Sequence, residues 1–315
     1  MRHIPLCRVL LLFLLLLPLT VQADPIAAYT PTSRVVMDVR GERLLQLRSF
    51  TRNGEPQALL VNPVTLATSV VSAAALREAS WPDLAATPYG RTLAETTRGP
   101  ARLQNHGLTH GLLPVTGQFL TVDLCPSKRP FERHFFDTVA SLAGARPVPV
   151  AVAITGAWLA SHGEELAWLR EQERTGRLAI TWVNHSLTHP YDSTVPLSRT
   201  FLLTSGLDRR REVLALELQL LERGVVPSVF FRFPGLVADD GALALLRDLG
   251  LIPLGSDAWL AKGEAVRDGS IILVHGNGNE PAGIRRFDQL VGAAAGLRLL
   301  PLNQAVIGAT SSGRI

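Results

Sequence analysis

Residues 178–190, LAITWVNHSLTHP, carry an almost wholly apolar run straight into a polar cluster with two histidines four positions apart. The run Leu178–Asn184 has the length and the branched and aromatic content of a buried strand. The same pairing of an apolar run with a polar terminus recurs on both sides of it. Upstream, Gln118–Cys125 (QFLTVDLC) and Val148–Gly156 (VPVAVAITG) read as strands, and Asp123 lies at the end of the first. Downstream, Ser228–Phe233 ends in Arg232-Phe233-Pro234-Gly235, and Leu251–Leu254 leads to Ser256-Asp257-Ala258-Trp259. Ser270–His275 ends in His275-Gly276-Asn277-Gly278, and a further strand is expected at Arg298–Leu302. Helices are expected between them at Phe131–Ala143, Trp158–Thr175, Asp208–Arg223, Gly241–Asp248 and near Ile284–Ala295. Nearly all-apolar strands separated by helices predict a parallel sheet covered on both faces. The class is therefore α/β, a distorted (β/α)7 barrel over residues 116–307, with any chemistry at the carboxyl ends of its strands.

The rest of the chain reads differently. Arg2 and Arg8 flank a short basic start, Val9–Leu17 is apolar, Pro18 ends the run, and Val21-Gln22-Ala23 supplies small residues. This predicts a secretory signal over residues 1–23, cleaved after Ala23, and so export to a periplasmic or extracellular location. The apolar run falls short of the ~20 residues of a membrane span, so no transmembrane span is expected after cleavage. Cys7 leaves with the signal, and Cys125 is then the single thiol, which excludes an internal disulfide. Residues 24–115 are expected to form a small accessory segment, with strands at Val35–Phe50 and Ala58–Val71 and a turn at Asn53-Gly54. Thr87–Pro114 has few periodic signals, and residues 308–315 read as a tail. With 47% hydrophobic residues the 315-residue chain is no disordered polymer. Its net charge of +4 includes no concentrated basic run, so nucleic acid is not an expected partner.

Five strand ends thus bear Asp123, the pair His185 and His189, Arg232, Asp257 and His275. In this order they resemble the motifs of the NodB-homology polysaccharide deacetylases, carbohydrate esterase family 4. The chain has T-V-D-L-C at 121–125, H-S-L-T-H-P at 185–190, R-F-P-G-L at 232–236, S-D-A-W at 256–259 and L-V-H at 273–275. The resemblance implies metal-assisted general acid–base hydrolysis of an N-acetyl group on an amino-sugar polymer or a related amide. It implies that Asp123 is the base that takes a proton from water and that Arg232 orients it. His275 is then the acid that protonates the leaving amine, and Asp257 the carboxylate that keeps His275 protonated. His185 and His189, expected one helical turn apart on one side, are the implied metal ligands, with Zn²⁺ the expected cation. The implied partner is a glycan or another acylated amino-sugar substrate. The resemblance also implies that backbone N–H groups around Pro234-Gly235 stabilise the oxyanion.

Two positions depart from the pattern. Leu124 stands where the family has a second Asp, its third metal ligand, and Gly235 stands where it has an aromatic residue. Three outcomes follow for the metal site: Asp123 serves as ligand as well as base, Cys125 contributes a thiolate, or the site is lost. The last would leave a metal-free amidohydrolase, or an impaired domain that binds glycan or a protein partner. Asn105-His106-Gly107-Leu108-Thr109-His110 nearly repeats Asn184–His189 but follows no expected strand, so it reads as loop, with a spare ligand for the main site as the alternative. Trp158, Trp182 and Trp259 lie near strand ends, where they either stack on a sugar or pack in the core. Gly276–Glu280 (GNGNE) lacks the lysine of a phosphate-binding loop.

Overall fold

The computed structural model describes residues 25–144, 146–293 and 297–308. The expected signal segment and residues 309–315 lie outside them. Among the described residues, no helix is long and apolar enough to cross a membrane.

Two sheets make up the fold. The first is antiparallel, with β1 (Ile26–Met37), β2 (Arg43–Arg52), β3 (Glu55–Val61), β4 (Thr68–Ser72) and β5 (Arg77–Glu78) in the order β4-β3-β2-β1-β5. The expected strand at 35–50 is thus two strands, because Asp38 turns the chain by accepting the N–H groups of Arg40 and Glu42. Helix α1 (Pro88–Thr96) follows; Thr87 caps it by accepting the Gly90 N–H, and Pro88 starts it.

The second sheet holds seven parallel strands: β6 (Phe119–Leu124), β7 (Val148–Ile154), β8 (Leu178–Asn184), β9 (Phe230–Phe231), β10 (Ile252–Pro253), β11 (Ala258–Trp259) and β12 (Ile271–His275). Their order is β10-β9-β8-β7-β6-β12-β11, an open (β/α)7 barrel with its seam between β10 and β11. The helices are α2 (Arg133–Ser141), α3 (Gly156–Leu159), α4 (Gly163–Arg174), α5 (Arg209–Glu222), α6 (Asp240–Leu249), α7 (Pro281–Val291) and α8 (Gln304–Ile307). The seventh strand is Ala258–Trp259, and Arg298–Leu302 makes only one bridge, Leu299 to Gln118. The helix expected from Trp158 to Thr175 breaks after α3, where the His162 ring stacks on Trp158 and its Nδ1–H takes the Trp158 carbonyl at 2.9 Å.

Strand alternation sorts the side chains into two layers. Leu120, Val122 and Leu124 of β6 and Val150, Val152 and Ile154 of β7 join the helix-facing core with Phe135, Phe136 and Trp158. Phe119, Ala151, Ala153, Val183 and Ile271 face the opposite way, and there they meet Leu45, Leu47 and Val61 of the antiparallel sheet. The two sheets therefore share one core. A buried fork pins them: Arg48 on β2 donates to both carboxylate oxygens of Glu217 on α5 at 2.7 and 2.8 Å, and Tyr29 donates to the same group. Removing one partner from such a pair costs about 3–5 kcal/mol.

Residues 105–111 do not belong with the accessory sheet. They lace the seam of the barrel: Leu108 bridges Leu254 beyond β10, and His110 bridges Ser270 ahead of β12. Asn105 clamps the same seam, donating to the Ser256 carbonyl and accepting the Ser256 N–H.

Candidate active site

Parallel register sets the first pair. Asp123 on β6 and His275 on β12 are direct partners across neighbouring strands, so both side chains emerge on the same face at the carboxyl end. Alternation then sorts the two positions after Asp123. Leu124 points into the helix-facing core and is fully buried there. Cys125 has the parity of Asp123 and lines the same cleft.

The histidine pair is not built as a helical turn. Residues 185–190 form a loop, with left-handed backbone at Ser186 (φ 71°) and His189 (φ 49°). Local bonds fix its course. Asn184 accepts the Ser186 N–H and donates to the Val213 carbonyl, while Glu212 accepts both the N–H and the hydroxyl of Thr188. The two imidazoles meet edge to face with ring centres 4.8 Å apart. Non-glycine residues in this backbone region cost about 1–3 kcal/mol each and tend to mark sites where geometry is imposed by the surroundings.

Electrostatics favour a charged Asp123. Burial pushes its carboxyl up, but Arg232 and then His185, His275 and His189 outweigh this, so it stays below the usual carboxylate range. Arg232 Nη1 lies 3.8 Å from Asp123 Oδ1, and its Nη2 donates to Thr121 at 2.8 Å. Both charged groups are buried, yet Asp123 Oδ1 and Arg232 Nη1 and Nε have no hydrogen-bond partner. Unpaired buried polar atoms of this kind are costly and call for a ligand or water.

Cys125 Sγ and one ring nitrogen each of His185 and His189 lie within 4.8 Å of one another, the one such group of potential ligands among the described residues. Asp123 stands beside it, with Oδ2 3.7 Å from His185 Nε2, but is not one of the three. His185 Nδ1–H donates to the Arg232 carbonyl at 2.8 Å, which leaves the Nε2 lone pair facing Cys125 Sγ at 3.4 Å. Burial pulls the His185 pKa down, favouring the neutral ligating form. Burial pushes the Cys125 thiol up, but His189 and His275 outweigh it and bring it down to about 7. A thiolate and two imidazoles, one held by a backbone carbonyl, fit a divalent cation such as zinc.

His275 and Asp257 are not brought together. The Asp257 carboxylate is turned to the seam, where Oδ2 meets His110 Nδ1 at 2.8 Å and Arg267 at 3.2 Å and Oδ1 accepts the Ile271 N–H. The carboxylate at His275 is Glu280, whose Oε2 lies 2.8 Å from Nδ1, a charge contact off the line of a hydrogen bond, and accepts the Trp259 indole N–H at 2.7 Å. Burial pulls the His275 pKa down, but Cys125, Glu280 and Asp123 raise it well above the ordinary histidine value. His106 accepts the Arg102 N–H and His110 meets Asp257, so the two rings of this second pair are turned to different partners. Sequence reasoning passed over Glu280 because its position depends on the 276–280 loop; the acid five residues after His275 was the only signal.

The cleft has a volume of about 590 Å³ and takes in Asp123, Cys125, His185, His189 and His275. Its rim carries Gln104, Tyr191, Phe201 and Trp259. Trp158 and Trp182 are core residues, while Lys262 Nζ covers one face of Trp259 at 3.6 Å. Tyr191 is 63% exposed and stacks on Phe201 with ring centres 5.0 Å apart. Gly235 has a reason to be glycine: its φ is +60°, and a Cβ there would lie 2.2 Å from the Phe201 ring. The N–H groups of Leu236 and Val237 are taken by the Phe233 and Pro234 carbonyls, which narrows the oxyanion candidates to Gly235.

No family model matches the chain. Among solved structures it is similar to a family 4 carbohydrate esterase from Bacillus anthracis, with 18% identity and a TM-score of 0.46, covering 72% of this chain and 95% of that one. It is also similar to a chitin deacetylase from the fungal pathogen Colletotrichum lindemuthianum, with 16% identity, a TM-score of 0.44 and coverage of 64% and 92%. A family 4 pseudoenzyme, also from Bacillus anthracis, matches with 15% identity, a TM-score of 0.42 and coverage of 66% and 70%. These are likenesses in outline, and the chemistry is read from this chain's own side chains.

Proposed function

We propose that this chain is an exported hydrolase that removes N-acetyl or related acyl groups from an amino-sugar polymer. The observation that carries the reading is the pairing of Asp123 with His275 on adjacent strand ends, beside the Cys125, His185 and His189 group. The two ionisable groups are driven apart in the sense acid–base catalysis needs, with Asp123 low and His275 high. Asp123 takes a proton from the attacking water as its oxygen bonds to the acyl carbon. His275 gives a proton to the amine as the C–N bond breaks, so a carboxylate and a free amino sugar leave. The charge of Arg232 keeps Asp123 ionised. Cys125, His185 and His189 would hold a divalent cation, zinc on the chemistry of the donors, and such a cation supplies Lewis acidity toward the acyl carbonyl. The exposed Tyr191 ring on the rim suits the apolar face of a sugar.

The test is acetate release from acetylated chitooligosaccharides by zinc-supplied protein, with His275→Ala as control. Release by wild type and none by the variant is expected. Binding of the oligosaccharide with no release would replace this reading by that of an impaired glycan-binding domain, which the loss of a carboxylate at Leu124 favours.

A further inference from the structure

Asp257 is fully engaged away from the cleft. Its oxygens meet His110, Arg267 and the Ile271 N–H, and the Ser270 hydroxyl stands at 3.5 Å. Two of these partners, His110 and Ser270, bridge each other where residues 105–111 lace the seam. The carboxylate therefore stitches the barrel. On the cleft side, one oxygen of Glu280 sits between two rings, His275 Nδ1 at 2.8 Å and Trp259 Nε1 at 2.7 Å. The loop that delivers Glu280 is itself anchored: Asn277, 1% exposed, donates to the Cys125 carbonyl, and Arg129 donates to the Gly278 carbonyl. Glu132 donates its N–H to the Gly276 carbonyl. A glutamate at the end of a pinned loop, oriented by a tryptophan and facing a cleft histidine, is arranged as a fixed partner and not as a surface acid.

We infer that Glu280 is the positioning residue of His275, engaging Nδ1 so that Nε2 faces the leaving group, and that Asp257 has no part in this. The inference rests on the acid role proposed for His275. A carboxylate on Nδ1 fixes both the tautomer and the ring orientation, the two properties a general acid must have before it meets a substrate. The indole of Trp259 keeps the carboxylate from swinging out of the cleft.

Leaving groups separate this from a structural role. A glycan amide needs a proton on its departing nitrogen; an aryl acetate such as p-nitrophenyl acetate does not, because its phenolate leaves unaided. Glu280→Ala is expected to lower kcat on the amide about 10- to 100-fold, with KM and aryl-ester turnover little changed. Glu280→Gln should recover most of the loss, since its amide oxygen would keep the same place beside Nδ1. Equal loss on both substrates, or amide loss that falls on Asp257→Asn and spares Glu280→Ala, would overturn the inference. Ring ¹⁵N shifts of His275 test the contact without turnover: the Nδ1 signal should move in Glu280→Ala, and an unmoved signal would also overturn it. Full amide activity in His275→Ala would instead overturn the acid role itself.

Discussion

Two segments of this chain read nearly alike, Asn184-His185-Ser186-Leu187-Thr188-His189 and Asn105-His106-Gly107-Leu108-Thr109-His110, and the fold uses them in opposite ways. The first leaves the end of β8 and curls back, so that both imidazoles converge on Cys125. The second runs along the open seam, and its histidines part: His106 accepts the Arg102 N–H and His110 engages Asp257. The asparagines differ as well: Asn184 donates to the Val213 carbonyl on α5, and Asn105 is tied to the Ser256 backbone at the seam. What separates them is the element each segment follows. A strand in the middle of the sheet delivers its terminal side chains to the cleft, and a segment crossing a gap delivers its own to whatever closes the gap.

The contrast is broken most directly by substitutions in the cleft. Asp123→Asn should lower kcat/KM on the glycan amide by roughly 10²–10⁴-fold, while His106→Ala should leave it near wild type. Steady-state rates check this, and comparable losses in the two variants would erase the distinction. The pH profile sharpens it. The base must be deprotonated, so activity falls only as pH drops through the lowered Asp123 pKa; the acid must be protonated, so activity falls as pH rises through the raised His275 pKa. A plateau through neutrality with an alkaline limb is expected, and a limb centred at the ordinary histidine value near 6.5 would contradict it. In chelator-treated protein, alkylation of Cys125 should accelerate as pH rises through about 7, well below an ordinary thiol. The smallest effect belongs to the seam. The His110–Asp257 pair is partly exposed, so His110→Ala should cost less than ~1 kcal/mol in urea unfolding.

The sequence carried the sheet better than its edges. Leu178–Asn184 is a strand residue for residue, because a long apolar run in the middle of a parallel sheet has no competing use. β9, β10 and β11 have two residues each, too short for any period, so the sequence points to Arg298–Leu302 as the seventh strand and not to Ala258–Trp259. Helix α1 was not expected, because the few periodic signals of Thr87–Pro114 hide its Thr87-Pro88 start. At the site, Asp123, Arg232, His185, His189 and His275 do face one cleft or its wall. The partner of His275 was out of reach, since Glu280 meets it through the course of a glycine-rich loop and Asp257 is drawn away by a histidine some 150 residues earlier in the chain. Strand alternation, by contrast, was available from the start: with Asp123 facing in, Leu124 must face out and Cys125 in.

The central claim is that Cys125, His185 and His189 form a cation site beside Asp123 and His275. Elemental analysis of purified protein after zinc loading and desalting tests it, on wild type, His185→Ala and His106→Ala. About one equivalent of zinc in wild type and His106→Ala, and background in His185→Ala, is the predicted result. Wild type at background, or zinc retained by His185→Ala and lost from His106→Ala, would contradict it.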